Sequence, residues 1–323
     1  MLRTLFLATD HGIFGFECDG QNRTEVSRGL TGKKITSVSC WKAEIVAGTP
    51  DGIYRSDDSG QSWEMVSPGL SVPHVRWLAH HPDGSGLVFA GTEPAAIFRS
   101  HDGGQTWQEC PEVARLRDQF GWYLPYSPEA GCVRGFASHG SHVYAAVEQG
   151  GLLRSENRGT TWQLAEGSSG EPRTPPEGFV HPDVHSVNLL PSSPDTVFAS
   201  TGGGFYRSDN AGKTWTCLYR CYCRAAWIDP TIPEHYVLGP ADWVDRNGRI
   251  EESIDGGLSW RPASGDMQVP WTGHMVERFL AAGDELLAVL SNGHLMAAPL
   301  STLAWQRILP EVDGVLAVAN APF

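Results

Sequence analysis

Ser100-His101-Asp102-Gly103-Gly104-Gln105-Thr106-Trp107 is one of five copies of a single phrase in this chain. The others are Ser56-Asp57-Asp58-Ser59-Gly60-Gln61-Ser62-Trp63, Ser155-Glu156-Asn157-Arg158-Gly159-Thr160-Thr161-Trp162, Ser208-Asp209-Asn210-Ala211-Gly212-Lys213-Thr214-Trp215 and Ser253-Ile254-Asp255-Gly256-Gly257-Leu258-Ser259-Trp260. A sixth, eroded copy ends at Trp305, so successive tryptophans lie 44, 55, 53, 45 and 45 residues apart. In each copy an apolar strand enters a turn. An Asp or Asn accepts hydrogen bonds from turn amides, a Gly two residues on supplies a positive φ, and the Trp buries a large ring.

A recurrence of about 45 residues matches one four-stranded propeller blade. Inner strands are expected at Ile35–Cys40, Val75–Ala79, Val133–Ser138, His185–Leu190, Arg224–Ile228 and Met275–Ala281, each followed by a second strand. That makes six complete blades. Thr4–Thr9 and Gly12–Glu17 read as second and third strands whose inner strand is missing, and 315–319 is an orphan strand at the far end. The expectation is an all-β, seven-bladed β-propeller, one domain over 1–323, with the C-terminal strand inserted as the inner strand of the first blade. Closure removes exposed sheet edges. Insertions at 110–131 and 165–183 both join an outermost strand to the next inner strand. They are expected on the face where inner strands begin.

The five phrases resemble the Asp box of the BNR-repeat family, along nearly the whole chain. That family includes sialidases, other glycoside hydrolases, receptors and photosystem assembly factors. The resemblance implies that the box is a structural hairpin remote from the catalytic face, so Asp58, Asp102 and Asp255 are given no chemistry. The Arg-Ile-Pro signature of sialidases does not occur and no Tyr–Glu nucleophile pair can be assigned, so the chain is sialidase-like without being a typical sialidase. Fold alone does not choose among these functions.

The composition excludes several classes. Asp and Glu outnumber Lys and Arg 37 to 24, a net charge of −13, with no basic block. Nucleic acid and anionic membranes are therefore not expected partners. No apolar run approaches about 18 residues. The first residues lack the long apolar core of a secretory signal, and seven Cys show no framework spacing. A cytoplasmic protein with reduced thiols is expected.

Aligning the inner strands isolates one position. Arg76, Arg134, His185, Arg224 and Glu277 each lie six residues before a Pro or Gly that ends their strand. Inner strands start near the axis, so these five should converge on the channel mouth, where burying unpaired charge is costly. Guanidiniums engage carboxylates or phosphates bidentately. Arg76, Arg134 and Arg224, with His74 and His274 nearby and Trp122 and Tyr123 in the first insertion, are the candidate ligand-binding residues. His181, Asp183 and His185, spaced by two, would share one side of an extended strand. They could hold a divalent metal or move protons. His185, Asp183 and Glu277 are the candidate catalytic groups, with Asp242 a further carboxylate. The leading reading is a small anionic or sugar-like ligand bound at the mouth, with or without hydrolase or lyase chemistry, metal-assisted or not. The alternative is a non-enzymatic scaffold or assembly factor that grips a protein or peptide with the same face.

Overall fold

Each tryptophan phrase closes a hairpin, and the hairpins stack into sheets. The computed structural model describes residues 3–127 and 130–322; Met1, Leu2, Phe323 and, within the first insertion, Pro128 and Glu129 lie outside the described residues. Among the described residues there are seven four-stranded antiparallel sheets. Their inner strands are Val315–Pro322, Ser37–Trp41, Val75–His80, Cys132–His139, Val184–Leu190, Tyr222–Ile228 and Val276–Ala282. Each inner strand packs against the next around a closed ring, the last against the first. The protein is a seven-bladed β-propeller.

The first blade runs Val315–Pro322, Arg3–Thr9, Gly12–Asp19, Asn22–Gly29. Arg3 pairs with Pro322 and Leu7 with Val318, so the two ends of the chain share one sheet. This is the expected closure. The box hairpin is absent from this blade, whose third and outer strands meet at a short Gly20-Gln21 turn. No helix among the described residues is long and apolar enough to cross a membrane.

The five boxes share one hydrogen-bond pattern. In the Asp102 copy, Ser100 Oγ donates to Asp102 Oδ1 at 2.6 Å and accepts from the Gly104 amide at 2.8 Å. Asp102 Oδ1 also accepts from the Thr106 amide at 3.0 Å. Gly104 has φ +90°, which explains the invariant turn glycine across the copies. Trp107 is buried between the second and third blades with Val46, Ile53 and Phe98. Trp305 is buried likewise, so the eroded sixth copy keeps its core residue.

The boxes set a pH dependence. Asp58, Asp102 and Asp255 are all lowered to about 2. For Asp58 and Asp255 the hydroxyls and amides of Ser62 and Ser259 are responsible. For Asp102 burial pushes upward but Ser100 and Thr106 outweigh it. A depressed carboxylate stabilises the fold above its unfolded pKa of about 3.9, and that stability is lost as pH falls through the folded value. Denaturant midpoints should therefore drop between about pH 4 and pH 2. Asp58→Asn with Asp255→Asn should flatten that drop, because Asn157 and Asn210 already fill the same role in two boxes. An unchanged slope would contradict the assignment.

The first insertion departs from the expected loop. It opens with a helix, Pro111–Phe120, that has Pro at its first turn, Glu112 near its N-terminus, Arg117 near its C-terminus and Gly121 in the left-handed conformation at its end. These are ordinary helix signals. Trp122, expected to face a ligand, is instead 2% exposed and packs with Val113, Val133 and Val147. Its Nε1 donates to Gly170 O at 2.8 Å, which ties the two insertions together.

Candidate functional site

The position singled out by alignment has a structural meaning. In five inner strands the pairing register slips at that residue: between Val75 and Trp77, Val133 and Gly135, Val184 and Ser186, Cys223 and Ala226, and Val276 and Arg278. Arg76, Arg134, His185, Arg224 and Glu277 thus sit in β-bulges, which re-aim a side chain out of the alternating pleat. A sixth bulge carries Leu316 in the first blade, and Thr36 precedes the second blade's inner strand at the matching place. The axial ring therefore reads Leu, Thr, Arg, Arg, His, Arg, Glu.

The structure brings the charged members together. Glu277 accepts from Arg134 at 3.3 Å through one oxygen and pairs with Arg224 through the other. Arg134 also pairs with Glu148 at 3.0 Å, and Arg76 with Glu93 at 3.0 Å. Glu148 ends the second strand of the fourth blade and Glu93 directly follows that of the third at the equivalent place, so Arg–Glu pairing repeats with the architecture. Tyr126 donates to Glu148 at 2.6 Å. Arg224 Nε donates to the Tyr222 hydroxyl at 3.2 Å, which lies 3.4 Å from His185 Nε2. His185 Nδ1 lies 2.9 Å from Cys223 O.

The remaining candidates are placed differently. Asp183 reaches His185, with Oδ1 3.2 Å from Nε2. This approach needs Gly202, where an added Cβ would meet Asp183 Oδ2 at 2.2 Å. His181 turns to the other side, against Gly203, with its Nδ1 accepting from the Asp183 amide at 3.2 Å. The strand begins only at Val184 and is bulged at His185, so the spacing-by-two argument fails to align His181 with the other two. The ligand atoms that gather within 4.8 Å of one another are those of Glu148, Asp183 and His185. His274 stacks on Trp271 at 4.9 Å, outside the bulge ring, and the His74 carbonyl accepts from the Glu93 amide. Tyr123 is exposed, as is Asp242, whose carboxylate accepts from Asn247.

A cavity of about 180 Å³ opens at the axis, lined by Lys34, Thr36, Arg76, Trp77, Arg134, Glu277, Arg278 and Leu316 among others. It lies where the small or neutral ring residues Thr36 and Leu316 leave room beside the charged Arg76, Arg134 and Glu277. Arg278 crosses it, its guanidinium 4.0 Å from the Trp77 ring centre and donating to Thr36 O at 3.2 Å. Burial, with Arg134 and Arg76 close by, pulls Arg278 down to about 9 against the opposing charge of Glu277. A guanidinium still keeps its proton at neutral pH; burial is the main cost to its charge, and the neighbouring guanidiniums add to it.

The carboxylates are held ionised. Burial would raise Glu148, but Arg134 overrides it and takes it to about 2. Glu277 is likewise lowered, by Arg224 and Arg134 against burial, and Asp183 by His185 against burial. Asp242 is lowered by Asn247.

The BNR/Asp-box repeat model matches residues 98–109, the phrase ending around Trp107. No curated protein matches the chain in sequence. Among solved structures, YCF48 bound to D1 peptide is similar at 19% identity and a TM-score of 0.60, over 88% of this chain and 85% of that one. YCF48 from Cyanidioschyzon merolae is similar at 13% identity and a TM-score of 0.61, over 92% and 96%. The GH74 xyloglucanase from Xanthomonas campestris is similar at 17% identity and a TM-score of 0.63, over 87% of this chain but 46% of the enzyme. The chain thus spans less than half of that enzyme, and at these identities the likeness speaks for the fold alone.

Proposed function

We propose that this chain, a BNR/Asp-box repeat propeller, binds a small anion through its axial mouth and does so as a receptor for the ligand, without acid–base chemistry. One observation carries the reading. Lys34, Arg76, Arg134 and Arg278 face one cavity in which Glu277 is the lone carboxylate among the lining residues, and Glu277 is already shared by Arg134 and Arg224. Arg76 and Arg134 are also matched by Glu93 and Glu148 just behind the lining, so the positive charge left over in the cavity is that of Lys34 and Arg278. A carboxylate or phosphate entering it would gain charge-assisted hydrogen bonds.

The ionisation states argue against a glycosidase. Such enzymes need one carboxylic acid whose pKa is raised so that it can protonate the leaving group. Asp183, Glu277, Glu148 and Asp242 are all lowered instead. The pairs hold each carboxylate in place as a fixed charge.

Isothermal titration with a panel of acetate, citrate, glucuronate and phosphate tests the reading. Saturable binding of at least one anion is expected. Arg278→Ala should weaken it by about tenfold to a hundredfold, the worth of a charge-assisted hydrogen bond. No binding, or full affinity in Arg278→Ala, would count against the mouth as the site.

A second reading has one specific support: the match to YCF48 bound to D1 peptide extends over most of both chains. In that reading the mouth takes the carboxylate of a peptide. The exposed rings of Tyr123, Tyr126 and Trp243 would hold the peptide above it, as aromatic anchors do at protein interfaces. Short acidic peptides that compete with the small anion, and bind more tightly than it, would favour this version.

A further inference from the structure

Behind the Arg–Glu pairs, where the fourth and fifth blades meet, three other groups converge. Glu148 closes the second strand of the fourth blade, Asp183 precedes the inner strand of the fifth, and His185 fills its bulge. One ligand atom from each lies within 4.8 Å of the others. The His185 side chain is fully buried and that of Glu148 is 3% exposed.

The arrangement of protons defines what is missing between them. His185 Nδ1 faces the Cys223 carbonyl, which can only accept, so Nδ1 carries hydrogen. This fixes the ring and points Nε2 into the cluster, as outer-shell carbonyls do for metal-bound imidazoles. Asp183 Oδ1 is sealed from solvent, with His185 Nε2 3.2 Å away but off the line of a good hydrogen bond; a metal ion here would take the place of the proton that otherwise bridges this pair. Glu148 is anchored from behind by Arg134 and Tyr126, and each of its oxygens keeps a lone pair. An imidazole nitrogen and two carboxylates are thus pre-positioned around a point that calls for positive charge. Gly202 contributes by leaving room for Asp183.

We infer that Glu148, Asp183 and His185 form a binding site for a first-row divalent cation. One imidazole, two carboxylates and no thiolate suit manganese, iron(II), cobalt or zinc. The Cys223 thiol donates to Ala225 O and stays outside the set. The nearby charges permit a dication: Glu148, Asp183 and Glu277 carry three negative charges against the two of Arg134 and Arg224. His181, packed against Gly203, takes no part.

Untagged, chelator-stripped protein titrated with Mn2+, with free Mn2+ followed by electron paramagnetic resonance, tests this without interference from thiols. One Mn2+ per chain is expected. Asp183→Asn and His185→Gln should each weaken binding at least about tenfold. Circular dichroism melts will show which variants are folded, and Glu148→Gln provides a third. His181→Gln and Arg278→Ala should bind Mn2+ as the wild type does; the latter separates this site from the anion mouth. The proposal is overturned if the wild type shows no saturable binding below about 1 mM. It is equally overturned if folded Asp183→Asn keeps full affinity, or if His181→Gln is the variant that loses it.

Discussion

Chain truncated after Gly314 is expected to show no cooperative unfolding transition and to aggregate. Residues Val315–Pro322 are the inner strand of the first blade and the sole strand paired to the inward edge of Arg3–Thr9. Removing them exposes that edge as a template for pairing with other chains. It also strips Val315, Ala317 and Ala319, all buried, from contact with Leu5, Leu7, Phe6 and Ala8 in the cores on either side. The ring then has no closing element between the second and seventh blades. A milder probe is Ala317→Asp, which places an unpaired carboxylate at a fully buried position. That should cost several kcal/mol, of the order seen when a buried charge lacks a partner. A truncated protein that melts like the full chain would contradict the closure.

Glu277→Gln is expected to move stability and anion affinity in opposite directions. Glu277 is the common partner of Arg134 and Arg224, with its side chain 17% exposed. Neutralising it leaves the largely buried Arg224 without a carboxylate and Arg134 with Glu148 alone. Breaking a buried pair in this way costs about 3–5 kcal/mol, readable as a lower denaturant midpoint. The same change removes the lone lining carboxylate that competes with an incoming anion, so affinity for the best anion should rise, by at least about tenfold for one unit of opposing charge lost within about 12 Å at an effective dielectric near 20. If affinity falls together with stability, Glu277 is part of the ligand's own hydrogen-bonding set and the charge argument is wrong.

Much of the fold is legible in the chain because the box is local. Its Ser, Asp or Asn, Gly and Trp satisfy one turn and one piece of core, so Trp63 through Trp260 mark the blades without knowledge of distant contacts. The second strands Glu44–Thr49 and Glu285–Leu290 fall where the pattern places them. The axial residues are legible for a related reason. Bulges recur at one alignment position, so Arg76, Arg134, His185, Arg224 and Glu277 stand out although nothing in each strand alone demands it.

What the sequence hides is which charges pair. Glu93 and Glu148 look like ordinary strand-end residues until they are compared with each other; then they occupy one position, next to the arginines they bind. Arg278 follows Glu277 and by simple alternation would turn into the blade, yet the bulge lets both reach the channel. Trp122 fails as a ligand contact because loop aromatics look alike in sequence whether they face a cavity or plug a gap between blades. His181 fails to meet Asp183 and His185 because spacing by two holds only along an unbroken strand.

If the axial cavity among Arg76, Arg134 and Arg278 is an anion site, a halide should enter it. Bromide soaking with anomalous diffraction measures it directly, since a halide needs no knowledge of the natural ligand. The account predicts an anomalous peak inside the cavity, within reach of the Arg278 guanidinium and over the Trp77 side of the channel. Bromide confined to the outer surface, with the cavity holding water alone, would contradict it.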